Sequence, residues 1–207
     1  MNRLHRWICR SGHWRKTVAQ RVPWVLADVN LGPHVLELGP GPGLTTDMLR
    51  LSTSRLTALE IDHKLAQSLG QRLRGSNVEV VTGDATQMPF ADGNFSSAVS
   101  FTMLHHLLST ELQDTMLREV CRVLQPGGVF AGSDSLQSLR MRLIHIGDTL
   151  TPVDPNTFGA RLERAGFEVL QLEKGADAFR FQARRRANTR PQHVLNAGSP
   201  IVRSASK

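Results

Sequence analysis

Five short, almost wholly apolar runs recur along this chain with helical patterns between them: HVLELG (34–39), LTALEID (56–62), VEVVTGD (78–84), SSAVSF (96–101) and VFAGSD (129–134). Successive side chains of a strand point to opposite faces, so a strand that is apolar throughout must be covered on both sides. Strands of that kind alternating with helices predict an α/β fold, a mostly parallel sheet with helices on both faces. The intervening helices are expected from Leu44 to about Leu51, over 63–74 with Leu65, Leu69 and Leu73 on one face, and over 110–124 with Leu112, Met116, Leu117, Val120 and Leu124 turned inward. Gln125-Pro126-Gly127-Gly128 stops the last of these, and residues 85–94, with Pro89, Asp92, Gly93 and Asn94, read as a loop. The alternation then lapses for about twenty residues. It resumes with a helix over 155–165 and two strands, FEVLQLE (167–173) and AFRFQA (178–183). With no crossover helix between them, these two can pair only antiparallel.

The ends of the chain differ from its middle. Residues 2–30 read as helical: Leu4, Trp7 and Ile8 share a face, Ser11-Gly12 breaks the pattern, and Trp14, Val18 and Val22 recur every four residues. From Arg184 onward apolar periodicity disappears and Arg, Asn, Ser, Pro and Gly prevail. This divides the chain into an N-terminal helical cap (1–30), a domain (31–186) and a basic tail (187–207) expected to be disordered. The net charge of +7 belongs to the two ends: residues 1–24 and 180–207 hold 13 of the 25 Lys and Arg and no acid, which leaves 25–179 with 12 bases against all 18 acids. A nucleic-acid reader is expected to carry its bases across one face of the domain, so this distribution argues against nucleic acid as a partner. A basic, Trp-containing first helix leaves room for weak peripheral contact with an anionic membrane. No run approaches the ~20 apolar residues of a membrane span, and no secretory signal pattern opens the chain. Cys9 and Cys121 lie far apart without metal-ligand spacing, so no metal site is expected and a reduced, cytoplasmic protein is.

Three features at strand ends point to a ligand. In Glu37-Leu38-Gly39-Pro40-Gly41-Pro42-Gly43 a strand turns through glycines into a helix, which exposes backbone N–H groups and lets a ligand approach closely. The pattern is GxGxG. The dinucleotide fingerprint GxGxxG fails here, because Leu44 and Thr46 stand where its third small residue belongs. Glu60 ends the second strand, 21 residues after Gly39, where a carboxylate can accept both hydroxyl protons of a ribose. Asp84 ends the third, placed to accept from an exocyclic amine or else to close the strand with an Asx-turn. Separately each is ordinary. Together they set polar groups at the carboxyl ends of successive parallel strands, where open α/β sheets bind ligands.

VLELGPGPG, LTALEID, VTGDATQMPFADGNF and LREVCRVLQPGGVF, in this order and spacing, resemble the successive motifs of class I S-adenosylmethionine (SAM)-dependent methyltransferases, especially the branch acting on quinones, lipids and natural products. The resemblance covers 34–134, and the 155–183 ending is similar to the family's edge hairpin. It implies a Rossmann-like, seven-stranded, mostly parallel sheet with an antiparallel β-hairpin at its edge. It also implies a cofactor site in which Glu37, Gly39, Pro40, Gly41 and Gly43 surround the methionine part. Glu60 with Ile61 would take the ribose, Asp84 with Ala85 the adenine, and Phe101 would line the other side. Phe95-Ser96 departs from the Phe-Asp usual in the family at this place.

Methyl transfer from a sulfonium is an in-line displacement, so the protein's main task is to hold the nucleophile about 3 Å from the methyl group. No catalytic triad is expected, and a base is needed only where the acceptor must lose a proton. Thr102-Met103-Leu104-His105-His106 replaces the Asn/Asp-Pro-Pro-Tyr/Phe sequence of enzymes that methylate exocyclic amines, and Cys121 is placed for packing rather than as a nucleophile. Structural or capping roles are expected for His105 and His106, with His106 the better candidate base of the two and His145 the alternative. Residues 135–154 lie where the resemblance puts part of the acceptor pocket: Leu143, Ile144 and Ile146 as walls, Arg140, Arg142, His145 and Asp148 as polar contacts. The expectation is methyl transfer from SAM to an O, C or N atom of a small lipophilic or aromatic acceptor; the alternative is a non-catalytic SAM-binding regulatory or partner subunit. A chain ending at Arg186 should retain folding and cofactor binding, and a melting temperature several degrees lower would show that the tail docks.

Overall fold

The computed structural model describes residues 12–144, 147 and 149–187. The expected positions Leu4, Trp7 and Ile8, and the tail from 188 onward, lie outside these residues. The first described element, α1, spans Gly12–Leu26; Ser11 of the expected break lies outside the described residues. It ends before Asp28, whose φ of 62° turns the chain toward β1 (His34–Leu38). There follow α2 (Leu44–Leu49), β2 (Arg55–Glu60), α3 (His63–Arg72), β3 (Val78–Thr82), β4 (Phe95–Phe101), a short 3-10 turn (Leu104–His106), α4 (Thr110–Val123), β5 (Leu124–Ser135), α5 (Leu139–Ile144), α6 (Pro155–Arg164), β6 (Phe167–Lys174) and β7 (Ala178–Arg185). One seven-stranded sheet results, in the order β3-β2-β1-β4-β5-β7-β6. Its first five strands are parallel, and β7 runs antiparallel to both β5 and β6.

The apolar runs are divided between two cores by strand alternation. On one face Val35, Leu56, Val99, Phe101 and Ala131 pack under Val18, Val22 and Val25 of α1. On the other, Leu36, Ala98, Phe130 and Phe181 pack under Met116, Leu117 and Val120 of α4 and Phe158 and Leu162 of α6. The apolar stripe of α1 is therefore buried against the sheet. No described helix is long and apolar enough to cross a membrane. Helix starts are set by side-chain caps: Asp62 accepts from Lys64 and Leu65 N–H, Ser109 from Leu112, and Asp154 from Asn156 with Pro155 at the first turn.

Two local details differ from the sequence reading. β5 begins at Leu124, before the Gln125-Pro126-Gly127-Gly128 turn, because Leu124 already pairs with Phe95. The turn bulges out, with Gly127 at φ 80°, before pairing resumes at Val129 and Ser97. Ser96, in place of the family's Asp, accepts the His34 N–H at 3.0 Å and donates toward the carbonyls of Leu31 (2.9 Å) and His34 (2.8 Å). A short hydroxyl thus anchors the junction of β4 with β1.

β1 carries one charged-type residue into the core. Glu37 is 1% exposed; the Thr45 hydroxyl donates to its Oε1, while Oε2 is buried with no hydrogen-bond partner. Burial raises its acid to about 7, only partly opposed by the Thr45 bond. A folded-state value above the unfolded one means that the unfolded chain loses its proton first as pH rises. Stability attributable to Glu37 is thus complete below about pH 4.5 and lost through about pH 7. The loss is on the order of 3 kcal/mol. Denaturant titrations between pH 5 and 8 should show stability falling with pH in the wild type and a flatter profile in Glu37→Gln; parallel profiles would contradict this.

Candidate cofactor and acceptor site

All five parallel strands point their carboxyl ends the same way, and there the chain encloses a cavity of about 470 Å³. Eight of the ten residues named from the sequence line it: Gly39, Pro40, Gly41, Glu60, Ile61, Asp84, Ala85 and Phe101. Glu37 and Gly43 are not among the lining residues. Glu37 sits below in the core, and Gly43, at φ 89°, opens α2 where a Cβ would overlap Leu69 and Arg72 of α3. Gly43 thus sets the packing of α2 on α3, one shell away from the cavity.

The glycine turn has a tight side and an open side. At Gly39 (φ 65°) a Cβ would overlap Met103, whereas at Gly41 (φ 55°) nothing lies within 4 Å. The Gly41 N–H donates to Glu60 Oε2 at 2.9 Å, and the Asp62 N–H donates to Oε1 at 2.9 Å. Glu60 therefore ties the turn after β1 to the end of β2. Each carboxylate oxygen has two acceptor sites, so one on each remains for a ligand hydroxyl. Asp84 closes its strand with an Asx-turn, Oδ1 accepting from Thr86 N–H (2.7 Å) and Oγ1 (2.8 Å), and it lines the cavity.

The other half of the cavity rests on β4, β5 and α1. Thr102 leaves β4 at φ 53°, costly for a β-branched residue, and is held by its N–H to Ser133 O (2.8 Å) and its hydroxyl to Phe101 O (2.7 Å). This turn delivers Met103, His105, His106 and Leu107 to the cavity. His105 Nδ1 lies 2.5 Å from Oδ1 of the fully buried Asp134, whose Oδ2 accepts the His105 N–H at 3.2 Å. The rings of His105 and His106 are 4.2 Å apart. The carboxylate partner thus belongs to His105, and residue spacing gave no hint of it: Asp134 reads as one more polar residue at a strand end. Trp14, Thr17, Val18 and Arg21 of α1 close the cavity, with Ser135, Leu136, Ser138, Met141 and Thr149 beyond β5.

The 135–154 segment contributes differently from the sequence expectation. Leu143 is 63% exposed and Arg142 is exposed, so neither walls the cavity; Met141 and Leu136 do. The side chains of Arg140 and Ile144, and residues His145, Ile146 and Asp148, lie outside the described set. Trp24 packs under the Arg180 guanidinium at 5.1 Å, away from the cavity. No three His, Cys, Asp or Glu side chains among the described residues group as metal ligands.

Residues 36–132 match the family described as "Methyltransferase domain". A probable SAM-dependent methyltransferase of Mycolicibacterium smegmatis is 31% identical over 175 residues, 78% of this chain and 62% of that protein. A demethylmenaquinone methyltransferase of Corynebacterium kroppenstedtii is 34% identical over 56% of this chain and 45% of its own length. A probable ribosomal RNA small subunit methyltransferase A of Methanothermobacter thermautotrophicus is 35% identical over 39% of this chain and 33% of its own. The chain thus spans about a third to three-fifths of these relatives. Among solved structures, a putative methyltransferase of Haloferax volcanii in complex with the Trm112 activator superposes with a TM-score of 0.73 at 16% identity, over 90% of this chain and 99% of that one. Residues 36–132 of this chain are accordingly similar to a methyltransferase domain, on the fold of the solved methyltransferase it superposes with.

Proposed function

We propose that the chain transfers a methyl group from SAM to an O, C or N atom of a small acceptor bound in the same cavity. The observation that carries this reading is the convergence of Gly41, Glu60, Asp84 and Phe101 with the His105–Asp134 pair on a single cavity. Its volume lies within the roughly 300–1,000 Å³ typical of small-molecule sites. The residues fit the cofactor: open space over Gly41 suits close backbone approach, and the remaining acceptor sites of Glu60 suit two ribose hydroxyls. Asp84 Oδ2, outside the Asx-turn, suits the adenine amine. SAM, when bound, supplies an electrophilic methyl on a sulfonium. The chain's own residues orient the partners, exclude water beneath α1, and take a proton where the acceptor must lose one.

With Nδ1 turned to Asp134, His105 would take an acceptor's proton on Nε2. The acceptor end is walled by Trp14, Val18, Leu107, Leu136 and Met141. Arg21 is the one Lys or Arg among the described lining residues, whereas a single-stranded nucleic-acid groove carries a track of cations interleaved with stacking aromatics. A small lipophilic or aromatic acceptor is therefore favoured over RNA.

Glu60→Ala should weaken SAM and S-adenosylhomocysteine (SAH) binding by about 2–4 kcal/mol, since two charge-assisted bonds go and the Gly41 turn is released. Unchanged affinity by calorimetry would refute the role of Glu60. For an acceptor that must be deprotonated, His105→Ala should slow methylation about 10²- to 10⁴-fold with SAH affinity intact. Transfer of labelled methyl to quinols or phenols supports the acceptor class. Transfer to RNA with none to small molecules overturns it, and SAH binding without turnover on any acceptor supports a non-catalytic subunit.

A further inference from the structure

Arg21 stands apart from the rest of the cavity wall. It is 8% exposed, and its Nη2 donates to Asp177 Oδ2 at 3.0 Å in the turn between β6 and β7. Trp14 lies 5.9 Å from the guanidinium carbon, one ring against its face. Nη1 is buried and has no hydrogen-bond partner, although the residue lines the cavity. A buried donor left unpaired costs free energy that folding alone does not recover, and a guanidinium fork is shaped for a planar oxyanion.

The charges of the cavity are also segregated. Glu60, Asp62 and Asp84 lie at the ends of β2 and β3, on the far side of β1 and β4 from β5, β7 and Arg21. Asp177, the ion-pair partner, also lines the cavity, but its side chain is 79% exposed and largely solvated, so it only partly neutralises the guanidinium. A doubly charged phosphate would meet one half-neutralised guanidinium, with no second Lys or Arg among the described lining residues. A single negative charge matches it better.

We infer that Arg21 forms a carboxylate subsite, in which Nη1 donates to a carboxylate of the bound ligand while Nη2 stays with Asp177. The inference rests on the SAM reading above, because the carboxylate has two possible sources at this end of the cavity: the methionine part of the cofactor, or the acceptor.

Calorimetry on the full chain separates these sources without knowledge of the acceptor. SAH carries the carboxylate and 5′-methylthioadenosine lacks it, and benzoate titrated into the SAH complex serves as an acceptor-side probe. If the cofactor supplies the group, Arg21→Met weakens SAH about 10- to 100-fold, leaves 5′-methylthioadenosine unchanged, and Arg21→Lys recovers part of the loss. If the acceptor supplies it, SAH affinity is unaltered, and benzoate binds the wild-type complex but not the Arg21→Met complex. Asp177→Asn keeps the guanidinium and should retain carboxylate binding in either case. Equal losses for both nucleosides, or the same loss in Asp177→Asn, would mean a structural role and overturn the subsite. So would unchanged SAH affinity with no benzoate binding. Failure of both nucleosides to bind the wild type would refute the SAM reading and, with it, the subsite.

Discussion

The carboxylate of Glu60 holds together two loops, accepting the N–H of Gly41, 19 residues earlier in the chain, on one oxygen and that of Asp62 on the other. Much of the candidate site depends on this clamp. It fixes the turn after β1 at the height of the β2 terminus, and Asp62, so placed, caps α3. α3 in turn packs against the start of α2 through Leu69 and Arg72, with Arg72 paired to Asp47 at 2.8 Å. A residue at a ligand-facing strand end thus also sets the backbone that the ligand would meet, so structural and binding contributions of Glu60 are coupled in any single substitution.

The opposite end of the cavity depends on strain. Thr102 in a left-handed conformation is a cost that its bonds to Ser133 and Phe101 offset. The return is a chain that leaves β4 sharply enough to put His105 against Asp134 on the neighbouring strand β5. Arrangements of this kind, a disfavoured backbone beside a buried His–carboxylate pair, fit a site built for positioning and proton transfer. Glu37 adds another buried carboxyl, in the core, whose raised pKa is a cost of burying a carboxyl at the glycine turn.

The sheet was legible because burial on both faces forces near-continuous apolar runs, and β1 to β4 fall within a residue or two of their expected bounds. The hairpin followed from the absence of a crossover between Phe167 and Ala183. That eight of the ten residues named from the sequence line one cavity has a related reason: in a parallel sheet every strand end is on one side, so a polar residue ending a strand is already near the others. What escaped was whatever depends on tertiary contact between distant segments. Nothing in the spacing of 105 and 134 tells that a His and an Asp meet at 2.5 Å, or that Arg21 on α1 reaches Asp177. Leu143 misled because an apolar residue on a short helix is indistinguishable in sequence from a pocket wall.

Everything proposed for the cavity requires one ligand at the Gly41–Glu60 clamp. Native mass spectrometry of the freshly purified chain, with and without added SAH, SAM and NAD, measures that directly. A single adduct of SAM or SAH mass per chain, displaced by neither NAD nor NADH, is the predicted result. An NAD adduct, or no adduct after millimolar SAH, would contradict it.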